Sequence, residues 1–542
     1  AEVPRLEGKL AAVNLKYEED GDLLIENLTA DIPLASHVAV VGDATSGKGH
    51  LALVLARLLD STGGTLRFGD RDASQLGEAA TGKQIGFVGA TSHLFSARLI
   101  DNLLYGIRQK PQAPREAESD AKRRALARYI DEAGKTGNSL DDPDADWIDM
   151  ESLGIADREA LIEAVRHALA IADMENDVYL LGLRGTLDPE ARPDAARRLL
   201  EARHMLQKRL SEKAYSGLVE SFDRSAYNLN ATVGENLLFG TPVGDAFDLD
   251  QLPQNAYVME ILGKAGLVED LLSIGHEVAQ TMVELFAGLP PDHEYFAQFS
   301  FISLDDLPDY QAILRKVERD GLDKLEEADR MKLLALPFKL SPARHRLGLI
   351  DEAFQARILE ARKAFAENLP EKLRSAVEFF DVDRYNAASS LQDNILFGKL
   401  VYGRAQAQSK VGELMSQVIE TLNLRSAVVE VGLDFEVGIG GARLSPAQRQ
   451  KASIARAVLK HPAILILSEA TASLDGSSQS TILRNVREEF AGRALIWVMH
   501  RPSQARGFDR VLVMANGRLV ERGTFDELVE KGSLMNELIA AE

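Results

Sequence analysis

The stretch "VVGDATSGKGH", Val40 to His50, constrains this chain more than any other. "HVAVVG" before it reads as a buried strand, and "HLALVLARLLD" at its end has the apolar spacing of a helix. Gly42, Gly47 and Lys48 match the phosphate-loop pattern G-x-x-x-x-G-K-[ST], whose amides and Lys hold phosphates and whose last hydroxyl holds Mg²⁺. The hydroxyl position here is Gly49. The amides of Asp43, Ala44, Thr45, Ser46, Gly47 and Gly49 would form an anion cradle at a helix N-terminus, and His50 could donate to a phosphate. An α/β fold is therefore expected. With Gly at roughly 7% and Lys at about 6% of residues, the G-x-x-x-x-G-K core arises by chance in about one chain in six of this length. A plain strand-to-helix turn is the alternative at this point.

At 542 residues the chain exceeds a single core, so two or three domains are expected. Its 45% apolar and 27% charged residues are ordinary for globular material. A net charge of -21 gives no support to non-specific binding of nucleic acid. The absence of cysteine excludes disulfides, thiolate metal sites and cysteine nucleophiles. No apolar run approaches the roughly 20 residues that cross a bilayer. The chain begins at Ala1, so either its start was processed or it is a piece of a longer protein.

The C-terminal end adds independent anchors: "VGIGGARLSPAQRQKASIARAVLKHPAILILSEATASLD" and then "VMHRPSQARGFDRVLVMANGRLVERGTFDEL". Together with "LKYEEDGDLLIENLTADIPLASHVAVVG" and "IGFVGATSHLFSARLIDNLLYG", these residues closely resemble the nucleotide-binding domain of ATP-binding cassette (ABC) transporters, exporters in particular. The resemblance covers roughly residues 5–106 and 380–542 in collinear order. It implies a P-loop NTPase with a RecA-like core and an antiparallel β subdomain. "LSPAQRQ" (Leu444, Ser445, Pro446, Ala447, Gln448) stands where the family has its signature. "ILILSEATASLD" stands at the Walker B strand, catalytic Glu (Glu469) and D-loop (Asp475). His500 sits at the switch histidine, and Tyr17 at the aromatic that stacks on adenine, where it could equally be a packing ring.

Physical chemistry supports several of these roles. Lys48 can neutralise phosphate charge, and Glu469, following an apolar strand, could act as a general base on water at the sheet's C-terminal edge. The departures are coherent. In this family Mg²⁺ is held by the P-loop Ser/Thr and the Q-loop Gln, supported by the Walker B Asp, whereas the chain has Gly49, Ala90 and Ser468. ATP is thus the expected ligand, and no metal site is assigned. Pro446 has no N–H to offer a phosphate, and "SPA" is helix-start chemistry, with Ser as N-cap and Pro at the first position. Capping and retained γ-phosphate sensing stay open as roles for Ser445.

Between Ala90 and Leu444 the family needs only a few dozen residues, so a folded, mainly helical insertion in the helical subdomain is expected. The expected division is residues 1–106, the N-terminal half of the domain; 107–379, the insertion; and 380–542, the C-terminal half. Gln109 to Trp147 reads as the least structured piece. "FDRSAYNLNATVGENLLFG" (Phe222 to Gly240) aligns without gaps to "FDVDRYNAASSLQDNILFG" (Phe380 to Gly398), and "LIDNLLYG", ending at Gly106, is a shorter form. Asn236 and Asn394 are expected to cap or bond a turn, and the third copy to lead back into the helical subdomain.

The resemblance implies a cytoplasmic motor domain held at the inner face of the cell membrane through a permease, fused or separate. It implies a homo- or heterodimer that sandwiches nucleotide, with hydrolysis weakened by the missing metal set. The alternative is a catalytically inactive nucleotide-binding or structural module that pairs with or regulates a competent partner. A third reading, an ABC protein acting on ribosomes or DNA, has the acidic balance against it.

Overall fold

The computed structural model describes residues 6–109, 119–141, 145–148, 150, 153–286, 289, 302, 305–531 and 534–542. Contacts group the chain into two units, Ala1–Leu180 with Gly432–Glu542, and Leu181–Val431. Strands β1 (Lys9–Glu19), β2 (Asp22–Pro33), β3 (His37–Val41), β4 (Gly63–Phe68), β5 (Arg71–Asp72) and β6 (Ile85–Val88) lie in the first unit. The second holds β7 (Val219–Ser221), β8 (Gly240–Pro242), β9 (Val377–Phe379) and β10 (Gly398–Leu400). The chain then returns to the first for β11 (Ile464–Ser468), β12 (Ala494–Val498), β13 (Arg510–Ala515) and β14 (Arg518–Gly523).

The first unit is the expected α/β architecture. Its six-stranded sheet runs β14-β13-β3-β12-β11-β6, parallel except for β14 at one edge. β11 and β12, "ILILS" and "ALIWV", are buried at every position. Runs without alternation suit parallel strands covered on both faces. A second, antiparallel sheet runs β2-β1-β4-β5. The signature helix Pro446–Leu459 packs on helices Leu99–Leu104 and Arg158–Ile171.

The unit boundaries fall elsewhere than the sequence divisions at 106/107 and 379/380. Helix Arg158–Ile171 belongs with the signature helix, whereas residues 380–431 belong with the insertion. The expectation that the third copy leads back to the helical subdomain is corrected by packing: helix Leu391–Leu396 lies on helix Pro193–Leu210 inside the second unit. The reading of Gln109 to Trp147 as least structured is corrected in part, because Asp120–Thr136 is a helix. Ser119 caps its start and Gly137, at φ 74°, its end. Part of that stretch lies outside the described residues.

The second unit is built on the sequence echo. β7 pairs antiparallel with β10, and β8 with β9, so the two copies exchange strands about a pseudo-twofold. Phe222 and Phe380 stack at its centre, with ring centroids 4.3 Å apart and planes 7° apart. A buried arginine serves each copy. Arg203 Nε donates to the Asn394 carbonyl at 2.7 Å, and its other nitrogens donate to Asn394 Oδ1 and to the carbonyls of Asp381, Val382 and Arg384. Arg362 repeats the set on Asn236, Asp223, Arg224 and Ala226. Each guanidinium also lies over a ring, Arg203 at 4.4 Å from Phe397 and Arg362 at 4.6 Å from Phe239.

The expectation for Asn236 and Asn394 holds, and Asn102 of the shorter form makes the same bonds. Asn236 Oδ1 accepts from Asn228 N–H at 2.9 Å, Asn394 from Asn386 N–H at 2.9 Å, and Asn102 from Phe95 N–H at 2.8 Å. Each amide nitrogen donates back to the carbonyl of the same turn residue.

Candidate functional site

Parallel strands bring their C-terminal ends to one edge of a sheet, and ligands bind there in open α/β folds. β3 delivers the glycine loop to that edge, β11 delivers Ser468 and Glu469, and β12 leads to Met499 and His500. The loop is held from within: the Asp43 carboxylate accepts from the Thr45 N–H and hydroxyl at 2.9 Å, and Ser46 Oγ donates to the Asp43 carbonyl at 2.6 Å. Gly47 has φ 81°, and a Cβ there would stand 2.2 Å from the Leu24 carbonyl oxygen, so only glycine fits. Helix Lys48–Leu55 then begins, with its N-terminus facing the loop.

Lys48 is buried, 6% exposed. Its ammonium lies 3.0 Å from Glu469 Oε1 and donates to the Met499 carbonyl at 3.0 Å. Two of its three N–H donors are thus directed along the sheet edge. Glu469 has φ 52°, an uncommon conformation for a non-glycine residue, and its N–H donates to the Val498 carbonyl at 2.9 Å.

Ala44, Gly47, Lys48, Gly49, His50, Ala90, Ser468 and Glu469 line one cleft of about 700 Å³, within the range of small-molecule sites. Tyr17 is buried and its ring stacks on His50, 5.8 Å between centroids at 21°. His50 also lies 3.8 Å from Glu19. His500 follows β12, with an exposed side chain. His93 and Arg456 line the same cleft and were not singled out in the sequence. Their signal was faint: His93 sits in the "TSHLF" segment beside Ala90, and Arg456 on an otherwise ordinary helix. Burial pulls the Arg456 guanidinium down, while the nearby Tyr105 opposes the shift. Gln450 of the signature helix fixes the Ala90 segment, donating to the Gly89 carbonyl at 2.9 Å and accepting from Ser92 Oγ at 2.6 Å.

The signature and D-loop residues do not line this cleft. Ser445 caps its helix: its Oγ accepts from the Gln448 N–H at 3.1 Å, and Gln448 Oε1 accepts from the Ser445 N–H at 3.0 Å, with Pro446 at the first position. Leu444 is buried beneath that start, and Ala447 lies in its first turn. The second "LSP" differs, because Ser341 makes no side-chain cap and its Oγ donates to the Leu229 carbonyl at 3.2 Å. Asp475 caps helix Gly476–Glu489, and the N–H of Ser478, with that of Ser477, holds its carboxyl below the usual range.

A glycine-loop cradle, a buried lysine and a carboxylate on one parallel-sheet edge define a P-loop nucleotide-binding domain. The ABC transporter family model matches residues 25–178 of the chain. It is 38% identical over 157 residues to the mitochondrial potassium channel ATP-binding subunit of Pongo abelii, covering 28% of this chain and 20% of that one. It is 36% identical over 161 residues to the heterocyst differentiation ATP-binding protein HepA of Nostoc, covering 29% and 25%. To the ATP-dependent lipid A-core flippase of Xylella fastidiosa it is 37% identical over 147 residues, covering 27% and 24%. The chain therefore spans a quarter or less of these relatives' length.

Proposed function

We propose that this chain is the nucleotide-binding domain of an ABC exporter that binds ATP with little dependence on Mg²⁺ and hydrolyses it slowly or not at all. The observation that carries this reading is the cleft itself, which keeps the phosphate-binding groups and lacks the metal ligands. ATP fits: the loop amides would cradle its phosphates, Lys48 would neutralise them, and the Tyr17–His50 stack supplies an aromatic platform for the base. Mg²⁺ does not fit. Gly49 has no side chain and Ala90 no oxygen, which leaves the neutral Ser468 hydroxyl. The chemistry left to the chain is positioning and general-base catalysis, with Glu469 polarising an attacking water and His500 reaching the γ-phosphate.

By resemblance, a permease, fused or separate, would couple this domain to transport at the cytoplasmic face of a membrane, and two such domains would enclose nucleotide. One observation favours the alternative, an inactive module beside a competent partner: Pro446, at the first position of the signature helix, has no N–H to offer a phosphate.

ATP titration with and without Mg²⁺, followed by steady-state ATPase measurement, tests the proposal. Affinity should change little with Mg²⁺, and turnover should be slow or absent. A Cβ at Gly49 meets nothing within 4 Å, so Gly49→Ser fits. Combined with Ala90→Gln and Ser468→Asp, it should raise Mg²⁺-dependent turnover. Brisk Mg²⁺-dependent hydrolysis by the unaltered chain, lost in Glu469→Gln, would refute the reading.

A further inference from the structure

The second unit contains a cleft of about 650 Å³ beside its pseudo-twofold, between helix Glu352–Glu367, β9 and the two echo loops. Aromatic residues Phe379, Phe380 and Tyr385 line it, and Arg224, Lys363 and Arg384 stand at its rim. All three cations are exposed, and none forms a salt bridge among the described residues. Two of the three carboxylates present are engaged: Glu378 accepts from the Ala388 N–H at 3.0 Å and Asp381 from the Asp383 N–H at 2.9 Å, which leaves Glu360.

The internal duplication supplies a control. Residues that build the fold are the same in both copies: Arg203 and Arg362, Asn394 and Asn236, Tyr227 and Tyr385, Phe222 and Phe380. The rim cations are not. Across the pseudo-twofold, Arg224 corresponds to Val382, Arg384 to Ala226 and Lys363 to His204. Phe379 corresponds to Ser221, and Ser225 to Asp383. One position thus has four cations, counting Arg362, against three carboxylates. Its counterpart has the Arg203 guanidinium against the carboxylates of Glu201, Glu220, Asp223 and Asp383. Packing demands explain the shared set and do not explain a basic, aromatic rim on one side only, in a chain of net charge -21.

We propose that this cleft binds a phosphorylated aromatic small molecule of mononucleotide size, the ring against the Phe379–Tyr385 wall and the phosphate between Lys363 and the two exposed arginines. Guanidinium groups match phosphate oxygens bidentately, and a wall of rings takes a flat base at little entropic cost. This site is separate from the glycine loop and does not depend on how that loop is read.

The test is calorimetric titration of the full chain with AMP in a Lys48→Met background, which removes the loop lysine. AMP should bind, and adenosine should bind at least about tenfold more weakly, as expected for loss of a charge-assisted contact. Lys363→Ala with Arg384→Ala should weaken AMP by at least about tenfold as well, with circular dichroism unchanged because both side chains are exposed. The pseudo-equivalent positions are His204 and Ala226, the second already alanine, so His204→Ala alone is the control and should leave AMP affinity within about twofold. No AMP binding, equal binding of adenosine, indifference to loss of the cations, or equal loss in the control variant would each overturn the proposal.

Discussion

At the residue scale, the most consequential side chains outside the nucleotide cleft are the two buried arginines. Burial pulls each guanidinium down to about 10, still well above neutral pH, so each is a buried cation satisfied by carbonyls. Replacing Arg203 by Met keeps volume but removes the guanidinium donors to four carbonyls and one of the two donors to Asn394 Oδ1. A loss on the order of 3 kcal/mol or more is expected, with a similar loss for Arg362→Met, read from urea midpoints. His345 makes the opposite demand. Its Nδ1 accepts from the Ser341 N–H at 2.9 Å, and burial pushes its pKa down to about 4. The folded unit therefore holds His345 neutral while the unfolded chain takes up a proton near its ordinary 6.5. The stability contribution is complete above pH 6.5, falls by about 3 kcal/mol as pH drops toward 4, and then levels. His345→Gln should flatten that part of the stability profile in thermal melts across the window.

At the element scale, the signature helix distinguishes two roles for one hydroxyl. Ser445→Ala removes the cap and should cost about 1 kcal/mol of stability. If capping is its whole role, ATP affinity measured on the same variant stays unchanged; a drop in affinity would restore the γ-phosphate role. Ser341 shows why sequence could not decide between them. "LSPA" recurs, yet one serine caps a 14-residue helix and the other precedes a four-residue turn. Longer-range packing selects between two conformations that the local residues allow equally.

At the scale of the whole molecule, residues 181–431 enclose both gapless copies of the echo, both buried arginines and an apolar core from Tyr227 to Val377. A fragment of these residues should give native-like helical circular dichroism and cooperative unfolding. Melting without a transition would show that the exchange of strands between copies needs the rest of the chain.

The glycine loop, the strand it follows and the apolar β11 and β12 runs were legible without coordinates, because local spacing and composition suffice to specify a strand–loop–helix and a covered parallel strand. So was the turn-binding role of Asn236 and Asn394. Two things needed the tertiary structure. One is which copy packs with which helix: β7 finds β10 at separations of 177 to 181, and Arg203 finds Asn394 at a separation of 191. Repeats that are nearly identical locally give no preference for partners. The other is the basic cleft beside the pseudo-twofold, whose residues come from segments scattered between Arg224 and Tyr385 and converge only when the two copies are paired.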